Sequence, residues 1–509
     1  MKQRQSFKNG RLAPSYGRTV TLLGALLISV SALTFAANAT AETLSQALSS
    51  AYRYNPRIDA ERARLRATDE QVPQALSGYR PRINGTADVS IQDNRTRFRE
   101  EDAGGVNPNT GEISRGTRSG DTVHPRGYGV SVQQNLFDGF QTRNQVGSAE
   151  ANVRAGREIL RDTERQVLLE AATAYMDVVR DQAIIRLQEN NVNVLTRELN
   201  ATTDRFNVGE VTKTDVAQAQ ARRAGAVSQL DLARANLKAS RARYERAVGN
   251  PPSGLSDPPL PVRVLPKNQD EALNIAVNES PIVIAALYRE QGARYDVDVV
   301  RAELLPVLNL EAAYTNRFSS SSTVAESETT TLAGRLNVPI YEGGEVTARV
   351  RAAKHTHVSR LQEVEDARMQ VREATISAWS QFQAAQAQLV SDRTQVEANQ
   401  TALTGVREEE RVGQRTLLDV LNAEQELLNA QVQLETTRRN LIVAAYNLLA
   451  AVGRLDANNL GVASEVYDPE IHYDEVRRKW WGVSITHDDG RHEVFDLWNS
   501  HGRTHEPAK

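Results

Sequence analysis

The chain has 509 residues, a formal net charge of -3 and no cysteine. That length accommodates two domains or one long repetitive one. Without cysteine there is no disulfide framework, thiol nucleophile, cysteine metal site or lipid-bearing N-terminal cysteine, and the near-balanced charge argues against a nucleic-acid binder.

Residues 1–41 read as a secretory signal peptide. Arg4, Lys8, Arg11 and Arg18 make a basic start, Val20 to Phe35 is apolar, and Ala37-Asn38-Ala39 followed by Thr40-Ala41 supplies small residues for cleavage. The alternative is an uncleaved anchor, but the apolar run falls short of the ~20 residues a spanning helix needs. No later stretch is apolar for that length. A chain without membrane helices can still span a membrane as a β-barrel.

Thr43 to Gly78 is expected as a helix. Ile83, Gly85, Ala87, Val89 and Ile91 then alternate with Asn84, Thr86, Asp88, Ser90 and Gln92. Period two means a strand with one apolar and one polar face. Asn94 to Pro125 is polar and aperiodic and reads as an exposed loop. Tyr128, Val130 and Val132 alternate with Gly129, Ser131 and Gln133 in a second strand. Gly139 to Asn207 holds no proline and reads as one helix, roughly 100 Å long at about 1.5 Å per residue. After Val208-Gly209 comes a helix about half as long, Thr214 to Gly249. Asn250 to Asn268 is proline-rich and reads as a linker.

The order then recurs. A helix over Glu271 to Leu304 precedes a strand in which Leu308, Leu310, Ala312 and Tyr314 alternate with Asn309, Glu311 and Thr315. A short polar loop, Arg317 to Thr330, leads to a strand in which Leu332, Gly334, Leu336, Val338 and Ile340 alternate with polar or small residues. Gly343 to Arg411 is the second long helix and Thr416 to Gly453 the second short one. Residue matches support a duplication. Asn55-Pro56 and Ser280-Pro281 are 225 residues apart, whereas Leu136-Phe137-Asp138-Gly139 and Ile340-Tyr341-Glu342-Gly343, and Val208-Gly209 and Val412-Gly413, are 204 apart. The first copy, 42–249, thus carries an insertion in its polar loop relative to the second, 269–454, with 250–268 between them. Residues 455–509 form a polar tail with Trp480-Trp481 and five of the eight histidines, His472, His487, His492, His501 and His505. Their irregular spacing and the missing acidic cage favour a partly disordered tail over a metal site.

Each strand run is about 10 residues, the length of a tilted membrane strand. Tyr79, Phe137, Phe140 and Tyr341 lie near strand ends, where an aromatic belt sits. Four strands cannot close a membrane barrel; three chains supply about 12 and enclose a duct where about eight would fill their own interior. The alternative is a soluble four-stranded sheet, which fits poorly with strands that each lead into a very long helix. The short helices carry a heptad: Val420, Leu427, Leu434, Leu441 and Leu448, with Ala423, Ala430, Thr437, Ala444 and Ala451 three places on. Val216, Arg223, Leu230, Leu237 and Tyr244, with Ala219, Ala226, Ala233, Ser240 and Ala247, match it in the first copy. A sustained heptad implies left-handed supercoiling.

The order helix, strand, loop, strand, long helix, turn, helix, written twice, resembles the TolC-like outer-membrane efflux family. So do Leu136-Phe137-Asp138-Gly139-Phe140, Pro339-Ile340-Tyr341-Glu342-Gly343-Gly344, and Arg411-Val412-Gly413 followed by Thr416, Asp419-Val420-Leu421 and Ala423. The resemblance implies a mixed α and β membrane protein: a homotrimer with a 12-stranded β-barrel in the outer membrane and an α-barrel of long antiparallel coiled-coil helices in the periplasm. It implies multidrug efflux or type I protein secretion through a porin-like duct, together with a periplasmic adaptor and an inner-membrane efflux or ABC-type transporter.

The turn tips Val208, Gly209 and Thr212, and Val412, Gly413 and Thr416, are then where an adaptor docks. Both Thr-x-x-Asp pairs, Thr212 with Asp215 and Thr416 with Asp419, read as helix caps. By resemblance, Asp419 matches the first ring of aspartates at a closed mouth, and Asn422 stands at the second, leaving that ring uncharged. Arg415 matches a basic gate residue facing Asp215, and Glu410 replaces an aromatic gate partner, making that link ionic. Capping and gating coexist in this reading. No cofactor, metal site or catalytic residue is expected, since no phosphate loop, nucleophile elbow or paired metal-spaced histidines appear. The competing reading is a periplasmic coiled-coil adaptor or scaffold without a membrane barrel; the four amphipathic strands speak against it.

Overall fold

The computed structural model describes residues 42–97, 109, 118–462, 466–485, 492–494 and 504–506. The expected signal peptide, the loop tip around Gly111, and His487 and His501 lie outside them. Among the described residues no helix is long and apolar enough to cross a membrane.

The first expected helix is three: α1 (Leu44–Tyr54), α2 (Pro56–Asp69) and α3 (Gln71–Leu76). The later one is two, α6 (Gln269–Glu279) and α7 (Pro281–Ala302). The breaks before Pro56 and Pro281 have one cause. A residue before proline is driven out of the helical region, and Asn55 and Ser280 are extended, with ψ 119° and 124°. The Asn55 side chain accepts from the Arg57 N–H at 3.0 Å and donates to the Ala247 carbonyl at 3.0 Å, so the break is a joint between elements. The long helices are continuous: α4 (Gln141–Asn207) and α8 (Glu345–Arg411) have 67 residues each. Their shorter partners are α5 (Lys213–Val248) and α9 (Leu417–Ala451).

The seam of small residues on α5 is buried throughout: Ala219, Ala226, Ala233, Ser240 and Ala247 all lie inside, which lets α4 and α5 approach closely. Midway along α4, Leu168, Tyr175, Tyr52, Leu48 and Tyr244 form the main core. There the Tyr175 hydroxyl sits between the carbonyls of Glu42 and Ser256, at 2.7 and 2.6 Å. Burial pushes the Glu164 carboxyl in the same region up to about 7, against the pull of Arg62 and with Asp456 adding to the rise.

Strands β1 (Arg82–Val89), β4 (Arg126–Phe137), β5 (Val307–Ser321) and β6 (Val324–Asn337) form one antiparallel sheet in the order β1-β4-β5-β6. Strand β6 stops short of the expected Ile340 because Pro339 has no N–H to donate. The loop expected from Asn94 to Pro125 begins and ends as a hairpin, β2 (Gln92–Arg97) with β3 (Arg118–Val123). No alternation marks this ribbon in the sequence because both of its faces are polar.

A two-faced strand wall and a tied helical mouth

Registration turns the four alternations into two surfaces. Ile83 lies opposite Val132, Val132 opposite Ala312, and Ala312 opposite Leu332; one step along, the row is Asn84, Ser131, Ala313 and Thr331, polar except for the small Ala313. Directly opposed residues point to the same face, so one side of the sheet is apolar and the other polar. The apolar side is uncovered: Ile83 is 67% exposed and Leu332 75%. An unburied apolar sheet face beside a polar one is the pattern of a barrel strand between lipid and an aqueous interior. On the polar side Arg335 pairs with Glu311 at 3.0 Å. At its foot lies a polar cavity of about 590 Å³ lined by Arg82, Gln133, Glu311 and Arg335 with Gln141 and Gln145 of α4. The polar strand face therefore continues into one face of the helices. Strands β1 and β6 are both open edges, a liability in a lone chain and a joint in a closed ring.

At the other end, about 100 Å away by helix rise, α4 and α8 finish in the same motif. Gly209 and Gly413 take positive φ of 86° and 79°, and the Glu210 and Gln414 N–H groups donate back to Arg205 and Glu409 carbonyls at 2.9 Å each. This left-handed cap favours glycine. It leaves Val208 and Val412 at the tips, 73% and 70% exposed. Thr212 and Thr416 then cap the returning helices. Each backbone N–H donates to the carboxylate of Asp215 or Asp419 at 2.8 and 3.0 Å, and each Asp N–H donates back to the threonine hydroxyl at 3.3 Å. Hydrogen bonds from Thr212 hold the Asp215 carboxyl below the usual range, and bonds from Thr416 do the same for Asp419.

Within one protomer the expected Arg415–Asp215 pair is absent among the described residues. The Asp215 carboxylate is engaged by its own cap, and Arg415 turns back onto Glu409 at 2.9 Å. Glu410 is paired ionically, with Arg205 at 2.9 Å, a bond joining the end of α4 to the end of α8. Asn422 accepts from Arg222 at 2.6 Å, joining α5 to α9. Behind these ties Leu195, Ala226 and Leu421 form a small apolar cluster, and Arg407 bonds the buried Glu424. The carboxyl of Glu198 is pushed up by burial and by the nearby Glu424 and Glu410. Sequence reasoning missed Arg205, Arg222, Arg407 and Glu424. The run Glu408-Glu409-Glu410 was the signal that basic partners had to lie nearby.

The profile of the outer membrane efflux proteins matches residues 47–250 and 272–454. The chain belongs to that family. It is 38% identical over 468 residues to the outer membrane efflux protein BepC of Brucella suis, covering 92% of this chain and 97% of that protein. It is 26% identical to the outer membrane protein TolC of Escherichia coli, covering 86% and 87% of the two chains. In fold it is similar to the CmeC outer membrane channel of Campylobacter jejuni, with a TM-score of 0.69 and 16% identity over 86% of this chain and 89% of that one. This efflux protein is thus a non-enzymatic export channel of the outer membrane, with its helical tunnel in the periplasm. It works as a trimer with a periplasmic adaptor and an inner-membrane transporter. The uncovered apolar strand face is its lipid contact.

Proposed function

We propose that this efflux protein holds its periplasmic mouth shut by ties between its two helical hairpins and opens when an adaptor engages the Val208 and Val412 tips. The observation that carries this reading is the pair of bonds bridging the hairpins, Arg205 to Glu410 and Arg222 to Asn422. Between α5 and α9 lies a groove of about 800 Å³, so the hairpins are joined near their tips and parted beside the groove. Breaking the ties lets the hairpins separate without disturbing the core near Tyr175. Asp215 and Asp419 act as caps, and the Asp419 carboxylate adds negative charge at the mouth, where a constriction focuses its field on cations. The groups passed outward are drugs, other small toxic compounds or proteins; a duct needs no substrate-specific pocket to pass them.

The test is single-channel conductance of the purified trimer in planar bilayers. Arg205→Ala combined with Asn422→Ala should raise conductance severalfold and let large antibiotics into cells, while Asp419→Ala should lower cation selectivity and leave conductance near wild type. If conductance is unchanged in the double variant although the trimer inserts normally, the ties do not close the mouth.

A further inference from the structure

The segment after the second repeat is packed in part, and its packing ends at an aromatic pair. Helix α10 (Ala457–Leu460) follows α9, and α11 (Pro469–Arg477) lies on α2 and α3, with its Tyr473 packed against Ala149 and Val153 of α4. It is fixed at each turn. Arg62 is stacked between the rings of Tyr52 and Tyr467, His472 meets the buried Asp69 at 3.0 Å, and Glu470 and Arg477 pair with Arg157 and Glu150 at 3.0 Å each. Because Glu470 meets Arg157 and Arg477 meets Glu150, α11 runs antiparallel to α4, toward the strands.

The side of the wall it occupies follows from α4 itself. Gln141 and Gln145 face the polar cavity at the foot of the sheet. At about 100° per residue, Glu150 and Arg157 point roughly 150° away from them. Helix α11 therefore lies on the face of α4 turned away from that cavity, and Arg80, which borders the cavity, reaches round to the end of the segment. The continuation of α11 is held at the foot of β1: the Arg80 guanidinium donates to the Lys479 carbonyl at 2.9 Å and lies 4.7 Å from the centre of the Trp480 ring. Arg80 precedes the first strand residue, Arg82, by two positions, which is about 7 Å. The Lys479 ammonium closes a turn by donating to the Ser484 carbonyl at 2.8 Å. What this turn presents is Trp480 and Trp481, 70% and 84% exposed, with exposed Val483 and Ile485, directly after the basic run Arg477-Arg478-Lys479.

We propose that Trp480 and Trp481 anchor this turn in the headgroup layer of the inner, periplasmic leaflet of the outer membrane. The patch is continuous with the lipid-facing belt, since exposed Tyr79 is the neighbour of Arg80 and exposed Phe137 and Phe140 stack edge to face at the adjoining strand end. Indole rings settle at the boundary between acyl chains and headgroups, and arginine and lysine beside them favour lipid phosphates. The C-terminal segment thereby becomes a strap that fixes the depth of the tunnel below the bilayer.

The full-length trimer with Trp379→Phe and Trp498→Phe, reconstituted in vesicles of phosphatidylethanolamine and phosphatidylglycerol, tests this, because Trp480 and Trp481 are then its only tryptophans. Lipid brominated near the headgroup end of its acyl chains should remove most of the fluorescence, and aqueous iodide should remove little. Co-flotation with the vesicles confirms barrel insertion independently of the tail. Strong iodide quenching without bromolipid quenching would overturn the proposal and leave the pair facing water or an adaptor. Shielding from both quenchers would overturn it in favour of burial against a neighbouring protomer. Restoring Trp379 alone in a Trp480→Phe, Trp481→Phe background should abolish the bromolipid effect; if quenching persists, its source is elsewhere.

Discussion

At the scale of the residue, charged side chains do different work according to burial. Glu164 is enclosed, and its folded pKa of about 7 lies above its ordinary 4.5. A carboxyl raised in this way contributes its full stability below about 4.5 and loses it as the pH rises through about 7. Thermal unfolding of the trimer should therefore occur at falling temperature between those values. Glu164→Gln should flatten that slope and stabilise the protein at pH 8, by at most about 3 kcal/mol per chain. An unchanged slope together with a lower unfolding temperature in the variant would show that Glu164 is ionised and well paired when folded. Asp215 and Asp419 have the opposite sign: their folded values are lowered by the caps. Their contribution is present above the ordinary carboxylate range and fades as pH falls through the lowered values. Acidification should thus fray the tip hairpins before it disturbs the core, visible as faster amide exchange near Lys213 and Leu417.

At the scale of the element, the two faces of the sheet make a paired prediction. Leu332→Arg puts a cation on the lipid side and should cost about 2–4 kcal/mol near the bilayer centre, emptying the outer membrane of heat-sensitive trimers. Thr331→Arg, one residue away on the polar face, should assemble normally. Equal effects would mean that the faces are wrongly assigned. An epitope inserted at Gly111 should be reachable on intact cells, since the β2–β3 hairpin follows the ends of β1 and β4 that are remote from the helices. These faces are legible in the strand alternation itself, because a sheet between lipid and water is the case in which period two is cleanest. The long helices are legible for a similar reason: neither contains a proline to interrupt it. The breaks at Asn55 and Ser280 are equally written in the sequence, as residues before proline, but half-length patterning obscures them. The proposed gate is only partly legible. Caps are local and follow from Thr-x-x-Asp, whereas Arg205 and Glu410 are brought together by the packing of two hairpins. Helix α11 is illegible because tyrosine, arginine and histidine contacts hold it, with Val476 its one deeply buried apolar residue.

At the scale of the whole molecule, a chain with two open sheet edges and an unburied apolar face is unfinished alone. Three copies with β1 of each placed beside β6 of the next would finish it as a closed barrel above a helical tunnel, and the absence of cysteine makes that joint easy to probe. Loss of the protein should sensitise cells to apolar drugs, bile salts or detergents, or stop export of a protein; unchanged tolerance and an unchanged secretome would contradict an export role. The most direct measurement is disulfide trapping of the joint, with Asn84→Cys on β1 paired in turn with cysteine at Ser327, Thr329, Thr331, Ala333 and Arg335 on the polar face of β6. Within one chain β1 and β6 are three strand spacings apart, about 14 Å, beyond the ~7 Å Cα separation a disulfide bridges. Oxidation should give covalent dimers and trimers on denaturing gels at one or two neighbouring positions of the series and none in the single-cysteine chains. Monomers at every position would show that β1 and β6 of neighbouring chains do not meet, and that the barrel is not built this way.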